Sequence, residues 1–293
     1  MIKKPFNSLN DYFVRYFFTD KGGEKVLLDF INAVMISANM KTFKSVEILN
    51  PFNLKKNYSD KETIVDVKCI TKNGTIVIIE VQLSGNSRFP ERILYYWSTN
   101  YSKLLKKGEG YEDLTPVISI NLLNFNLNKK DSNVHSCYMI YDTKNKRLLT
   151  DHLQIHIIEL KKFNFKNNNL SKDLNYWLGF FTTKDMEAYM SDIVKEKPIM
   201  EEAHKRYNNF IRSRLMMSEY EKKEIYQYDK QIMLKDERLE GIKEGMKKGK
   251  LEGLKEGRIA EQISMVKSMK TKNLDINLIS EITGLTIDEI KKL

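Results

Sequence analysis

The runs Thr63-Ile64-Val65-Asp66-Val67-Lys68-Cys69-Ile70 and Thr75-Ile76-Val77-Ile78-Ile79-Glu80-Val81-Gln82-Leu83, joined by Thr71-Lys72-Asn73-Gly74, decide the fold. Both are rich in β-branched residues, and Asn-Gly between two such runs is among the strongest short-range hairpin signals. In the second run Ile76 and Ile78 fall on one face and Val77, Ile79, Val81 and Leu83 on the other, which places that strand in the middle of a sheet. Only Glu80 and Gln82 interrupt its apolarity, and being two residues apart they share a face. Loop length fixes what Glu80 meets. A two-residue Asn73-Gly74 turn sets Asp66 opposite Val81 and sends Asp66 and Glu80 to opposite faces. A three-residue loop, Lys72-Asn73-Gly74 with Gly74 left-handed, pairs Thr71 with Thr75 and Asp66 with Glu80.

Outward from the hairpin, Leu9, Tyr12, Phe13, Tyr16 and Phe17 recur at helical spacing behind Ser8 or Asn10 as a cap, and Val26, Leu27, Phe30, Ile31 and Val34 repeat the pattern. Two helices and a strand at 45–49 therefore precede the hairpin. A helix over about 87–107 follows it, then strands at 116–123, 135–141 and 153–160. Helices, a mixed sheet and a helix between strands make an α/β core. Beyond about residue 168 the pattern is helical. The expected division is a catalytic domain at 1–185, a charged helical extension at 186–260 and a small helical hairpin at 261–293, where Leu278, Ile279, Ile282, Leu285, Ile287 and Ile290 flank a Thr283-Gly284 turn.

Gly241, Gly245, Gly249, Gly253 and Gly257 recur every fourth residue within the charged extension. Each glycine costs a helix about 1 kcal/mol relative to alanine, which favours a flexible linker. A glycine stripe that lets a second helix approach closely is the other reading, with Ile242, Met246, Leu251 and Leu254 beside it. On that reading the C-terminal helical region forms a homodimer.

The 293 residues are 41% apolar, enough for a real core, and carry a formal net charge of +10, which points to a polyanionic partner, with DNA the expected one. Cys69 and Cys137 sit singly in apolar runs, so no disulfide framework is implied, and a cytoplasmic, membrane-free protein is expected.

Burying Asp66 and Glu80 in strands this apolar is costly unless they are paired or bind a metal. An ion pair with Lys68, Arg88 or Arg92 is the plain alternative. Facing carboxylates are hard oxygen ligands suited to Mg²⁺ or Mn²⁺, which activates water and neutralises charge on a scissile phosphate. Gln82 cannot act as a base, but its amide can orient the attacking water beside a stabilising cation from Lys68, Arg88 or Arg92. Along the following helix Arg88, Arg92, Tyr95 or Tyr96, Ser102, Lys103 and Lys106 form a broad stripe that suits phosphate contact and base stacking, with the tyrosines and Trp97 equally placed for the core. His152 and His156 would share a strand face, but without further ligands they do not make a zinc site.

Asp66, then Glu80-Val81-Gln82 after the Asn-Gly hairpin, then Phe89-Pro90-Glu91-Arg92-Ile93-Leu94-Tyr95-Tyr96 and Gly108-Glu109-Gly110-Tyr111, together with the G-x-x-E tail, resemble the Rpn family of recombination-promoting nucleases. These are also grouped as transposases of the PD-(D/E)XK superfamily, and the resemblance runs over residues 7–293 through the order of elements. It implies a restriction-endonuclease-like core and Mg²⁺-dependent DNA cleavage linked to recombination or DNA mobility. It gives Asp66 and Glu80 the two metal-binding positions, and Asp11 resembles the first-helix acidic position that adds a metal contact. An ordinary first-turn carboxylate is the other reading of Asp11. Gln82 stands where the wider superfamily has lysine, which keeps open a catalytically weak or inactive binding module. A toxin or defence effector is a further alternative.

Overall fold

The structure is a computed structural model and describes residues 6–50, 52, 65–85, 88–166 and 168–293. Helices α1 (Asp11–Thr19) and α2 (Glu24–Ser37) lead into strands β1 (Val46–Ile48), β2 (Val67–Thr71) and β3 (Ile76–Gln82). Helix α3 (Phe89–Ser102) is followed by β4 (Val117–Leu123), β5 (His135–Tyr141) and β6 (Leu148–Glu159). Six helices complete the described chain: α4 (Lys172–Thr182), α5 (Met186–Glu196), α6 (Ile199–Arg212), α7 (Arg214–Thr271), α8 (Ile276–Thr283) and α9 (Ile287–Lys292).

The strands form one sheet in the order β1-β2-β3-β4-β6-β5, antiparallel through β1, β2 and β3, parallel from β3 to β4 and β4 to β6, and antiparallel again to β5. This mixed sheet, covered by helices on both faces, is a restriction-endonuclease-like α/β core. The hairpin takes the three-residue loop: Thr71 N donates to Thr75 O at 2.9 Å, Gly74 N donates to Thr71 O at 3.0 Å, and Gly74 has φ +81°. A Cβ on Gly74 would also stand 2.9 Å from Thr115 Cγ2, so the turn needs glycine for space as well as for its dihedral.

Alternation sorts the two faces. Val67, Cys69, Val77, Ile79 and Val81 meet Ile118, Ile120, Leu122 and the helices α1, α2, α4, α5 and α6 in the main core, which is dense in aromatic rings such as Phe13, Phe17, Phe30, Trp177 and Phe180. Ile76, Ile78 and Val117, with Ile155 and Ile157 further along, lie on the other side, where α3 packs through Phe89 and Ile93. Asn10 caps α1, accepting from Tyr12 N at 3.0 Å and from Phe13 N at 3.4 Å. The far end of α1 is closed by buried Arg206 of α6, whose guanidinium donates to the carbonyls of Phe17 (2.7 Å), Asp20 (3.0 Å), Tyr16 (3.2 Å) and Lys21 (3.2 Å).

Three local expectations are corrected. Helix α3 ends at Ser102 rather than near 107, because Leu104 N turns back to Tyr101 O at 3.1 Å and its side chain packs with Trp97 and Tyr101; Lys106 is therefore off the helical stripe. Strand β6 begins at Leu148, five residues earlier than expected, extending the hairpin with β5 across an exposed segment. A register shift in that hairpin separates the two histidines: His152 Nδ1 meets Tyr101 Oη of α3 at 2.9 Å, whereas His156 stacks on His135 with ring centroids 5.2 Å apart. The expected strand residues Thr63 and Ile64 and the helix start at Ser87 lie outside the described residues.

The chain divides into two compact units, 1–224 and 225–293. The second has its own small core of Val266, Ile279 and Ile290, with Met269, Leu274, Leu285 and Leu293 against it. Gly284 (φ +70°) ends α8, and Thr286 and Glu289 cap α9 reciprocally. The glycine repeat is helical: α7 runs through all five glycines, and a Cβ on any of them would meet nothing within 4 Å. No helix among the described residues is long and apolar enough to cross a membrane.

Candidate active site

The register Val67 to Ile79, Lys68 to Ile78, continued by one step, sets Asp66 opposite Glu80 on the α3 face. Asp66 Oδ2 accepts from Val81 N at 2.7 Å, tying the carboxylate to the end of β3. Glu80 is buried at 7% exposure, and its Oε2 accepts from Gln82 Nε2 at 3.4 Å. Its Oε1 is buried with no hydrogen-bond partner among the described residues. Asp66 as a residue is partly buried.

Electrostatics agree with this crowding. Desolvation, then the charge of Asp11, raises Asp66 from 3.8 to about 7 against the pull of the Val81 amide, Arg15 and Lys223. Desolvation, then the charge of Asp66, holds Glu80 well above the usual carboxylate range, with Arg92 and Gln82 opposing. The alternative of a closed ion pair does not hold, for among the described residues neither Asp66 nor Glu80 has a salt-bridge partner. Arg88 pairs with Glu91 instead, at 3.2 Å on an exposed helix turn.

Asp11 lies near enough to Asp66 to act on its charge, but its own oxygens accept from Lys223 Nζ at 3.0 Å and from Tyr12 N at 2.8 Å. Among the described residues no three His, Cys, Asp or Glu side chains converge as a metal-ligand group. The acidic centre is thus a pair, Asp66 and Glu80, with Asp11 behind it.

The basic and aromatic residues separate into two sets. Lys68 and Lys103 line one cleft with Tyr96, and Arg92 lies over the rings of Phe89 and Tyr96 at 5.1 and 5.8 Å. Tyr95 is 63% exposed on the outside of α3, while Trp97 is on the core side and donates from Nε1 to Val117 O at 2.8 Å. Lys106 lies in the turn beyond the helix, its backbone N–H donating to Glu109 Oε2 at 2.6 Å.

A family model described as PD-(D/E)XK nuclease family transposase matches residues 8–237. The chain belongs to that family. Membership makes this a nuclease-type protein with DNA as the implied substrate, in a superfamily that typically uses divalent metal ions. No curated protein and no solved structure matches the chain. The glycine repeat lies beyond the residues matched to the PD-(D/E)XK transposase family.

The residues present fit a divalent ion. Two carboxyls pressed together, each holding its proton above the usual range, and a buried orphan oxygen on Glu80 are what a cation would relieve. A pair suffices for Mg²⁺, which commonly binds one or two carboxylates and completes its shell with water and substrate phosphate.

Three contributors were missed in the sequence. Asn50 holds the start of β2, accepting from Lys68 N at 2.6 Å and donating to Val65 O at 3.1 Å, and so fixes the backbone on either side of Asp66. Arg15 stands one turn after Asp11, a spacing that could have been read. Lys223 is 212 residues from Asp11 and leaves no local trace.

Proposed function

We propose that this protein is a divalent-metal-dependent DNA endonuclease, with Mg²⁺ or Mn²⁺ held by Asp66 and Glu80. The observation that supports it is the unpartnered, buried Glu80 oxygen on the strand position opposite Asp66. The ion would lower the pKa of a bound water and neutralise charge on the scissile phosphate. Gln82 spends its amide N–H on Glu80, leaving its oxygen to accept from and orient the attacking water. Arg92 places positive charge near Glu80, the sign that stabilises charge developing on a phosphate, and Lys68 lies on the same strand as Asp66, in the cleft toward α3. Asp11 enters through its charge on Asp66. A role in recombination or DNA mobility within the cytoplasm belongs to the same reading.

The test is nicking of a closed circular plasmid, which has no ends, with Mg²⁺ or Mn²⁺ and with chelator. Metal-dependent nicking is expected, and its absence at every metal tried defeats the reading. Gln82 favours a second possibility, a module that binds DNA without cutting, and Gln82→Lys separates the two. If the glutamine only positions water, the lysine variant keeps or gains activity, by up to about tenfold; total loss with metal binding preserved shows that the amide has a role that a cation cannot fill.

Self-association through α7 completes the proposal. Ile242, Met246, Leu251 and Leu254 are exposed beside the glycines, apolar surface that a solitary helix leaves in water. Light scattering on the full chain and on a chain ending at Glu240 should give a dimer and a monomer; one common species removes α7 from the interface.

A further inference from the structure

Beside the carboxylate pair, on the same face of β2, lies a cleft of about 200 Å³ between the strand and α3. Among the described residues Val65, next to Asp66, forms one wall, and Asn50, Lys68, Tyr96, Thr99, Asn100 and Lys103 line the remainder. Two features are unusual. Lys68 is half-buried, and Lys103 lines the same cleft, so two ammonium groups share one small space. Among the described residues neither lysine has an ion-pair partner, although acidic residues elsewhere in the chain are paired freely.

Of the other polar side chains described around the cleft, both asparagines and Thr99 make hydrogen bonds to the backbone. Asn50 clamps β2, Asn100 Nδ2 donates to Tyr96 O at 2.8 Å, and Thr99 Oγ1 donates to Tyr95 O at 2.8 Å. Among the described residues, what the cleft offers is therefore two positive charges without an ion-pair partner, one of them on the floor formed by β2. Its volume falls below the ~300–1,000 Å³ of typical small-molecule pockets, which suits one charged group rather than a whole nucleotide.

We propose that this cleft is a subsite for a terminal phosphomonoester of DNA. A bridging phosphodiester carries one negative charge, whereas a terminal phosphate carries about −1.5 to −2 at neutral pH and so matches two ammonium groups. Such an end is what phosphodiester hydrolysis creates: water oxygen bonds to phosphorus, one P–O bond to sugar breaks, and one strand keeps the phosphate while the other keeps a hydroxyl. The cleft then holds the protein at a nick or break, including one that it has made itself. This rests on the nuclease reading of the neighbouring carboxylates, but the binding it predicts needs neither metal nor turnover.

The experiment is fluorescence anisotropy in chelator with short labelled duplexes ending in 5′-phosphate, 3′-phosphate or hydroxyl, with inorganic phosphate as competitor. One phosphorylated end is expected to bind about tenfold tighter than the hydroxyl end, the worth of one or two charge-assisted hydrogen bonds. Lys103→Gln, at an exposed position after α3, should erase that preference, and Lys68→Met should do the same. Equal affinity for all ends, with both variants weakening all three alike, overturns the proposal and leaves ordinary backbone contact. A persisting end preference in a protein that nicks no plasmid would sink the endonuclease reading and keep this subsite.

Discussion

Glu80→Gln is expected to lower metal-dependent DNA cleavage by about 10³-fold or more, the scale of losing a principal electrostatic contributor to such a reaction, while the metal-free protein melts no lower than its parent. The substitution keeps the side chain's shape and its neighbour Gln82, and removes only the charge. In the metal-free protein that charge is a burden, since desolvation and Asp66 both raise the carboxyl's pKa. The linkage has a definite sign. Asp66 goes from 3.8 to about 7 on folding, and Glu80 moves the same way, so the stability they contribute is full below about pH 4 and is lost as pH rises through about 7. A bound divalent ion reverses this by holding the ionised forms. Mg²⁺ or Mn²⁺ should therefore raise the parent's melting temperature more at about pH 8 than at about pH 5.5, and the Gln variant should lose most of that increment. Asp66→Ala should also stop cleavage, though it strands the Val81 amide and so tests function less cleanly. Undiminished cutting by Glu80→Gln, or an unchanged metal increment, removes Glu80 from the metal site.

Arg206→Met is expected to cost about 3–5 kcal/mol, the range for breaking a buried network of charge-assisted hydrogen bonds. One guanidinium bonds four carbonyls at and just beyond the end of α1, and methionine fills its volume but strands those of Phe17 and Lys21, while Tyr16 and Asp20 keep their backbone bonds from Asp20 N and Gly23 N. Its planar fork is the reason a single residue suffices, so Arg206→Lys should recover less than half of the loss. In a thermal melt the Met variant should drop by about 10 °C. A melting temperature within about 2 °C of the parent would show that water reaches these carbonyls and that the cap is dispensable.

Much of the site was legible because it is local. The Asn-Gly turn and the two-residue period narrow the hairpin to two registers, and the structure takes the three-residue loop that sets Asp66 opposite Glu80. Composition could not say where α3 stops: Lys103, Lys106 and Lys107 suit a helix, and it is the packing of Leu104 that turns the chain. The early start of β6 escaped because Leu148 and Leu149 are exposed, so burial imposes no alternation there. For the glycine repeat the propensity argument pointed both ways. Glu244 and Glu252 stand three residues before Lys247 and Lys255, spacing that supports a helix despite the glycines. The screening of Asp66 by Lys223 and the clamp by Asn50 depend on where distant segments dock, which no local pattern encodes.

The contact between Asn7 and Tyr220 has a bearing on synthesis. The Asn7 backbone N–H donates to Tyr220 Oη at 2.7 Å across 213 residues, and Phe6 stacks on the same ring at 4.7 Å. At a ribosomal rate of about 5–20 residues per second, the first helix waits roughly 10–40 s for the residue that locks it. During that interval Asp11 lacks Lys223 and the end of α1 lacks Arg206, so the hairpin can form long before its acidic centre is finished. A nascent chain of this protein therefore carries Asp66 and Glu80 well before Arg206 and Lys223 exist to close the end of α1 and to meet Asp11, and the order of synthesis sets when the first unit can be completed.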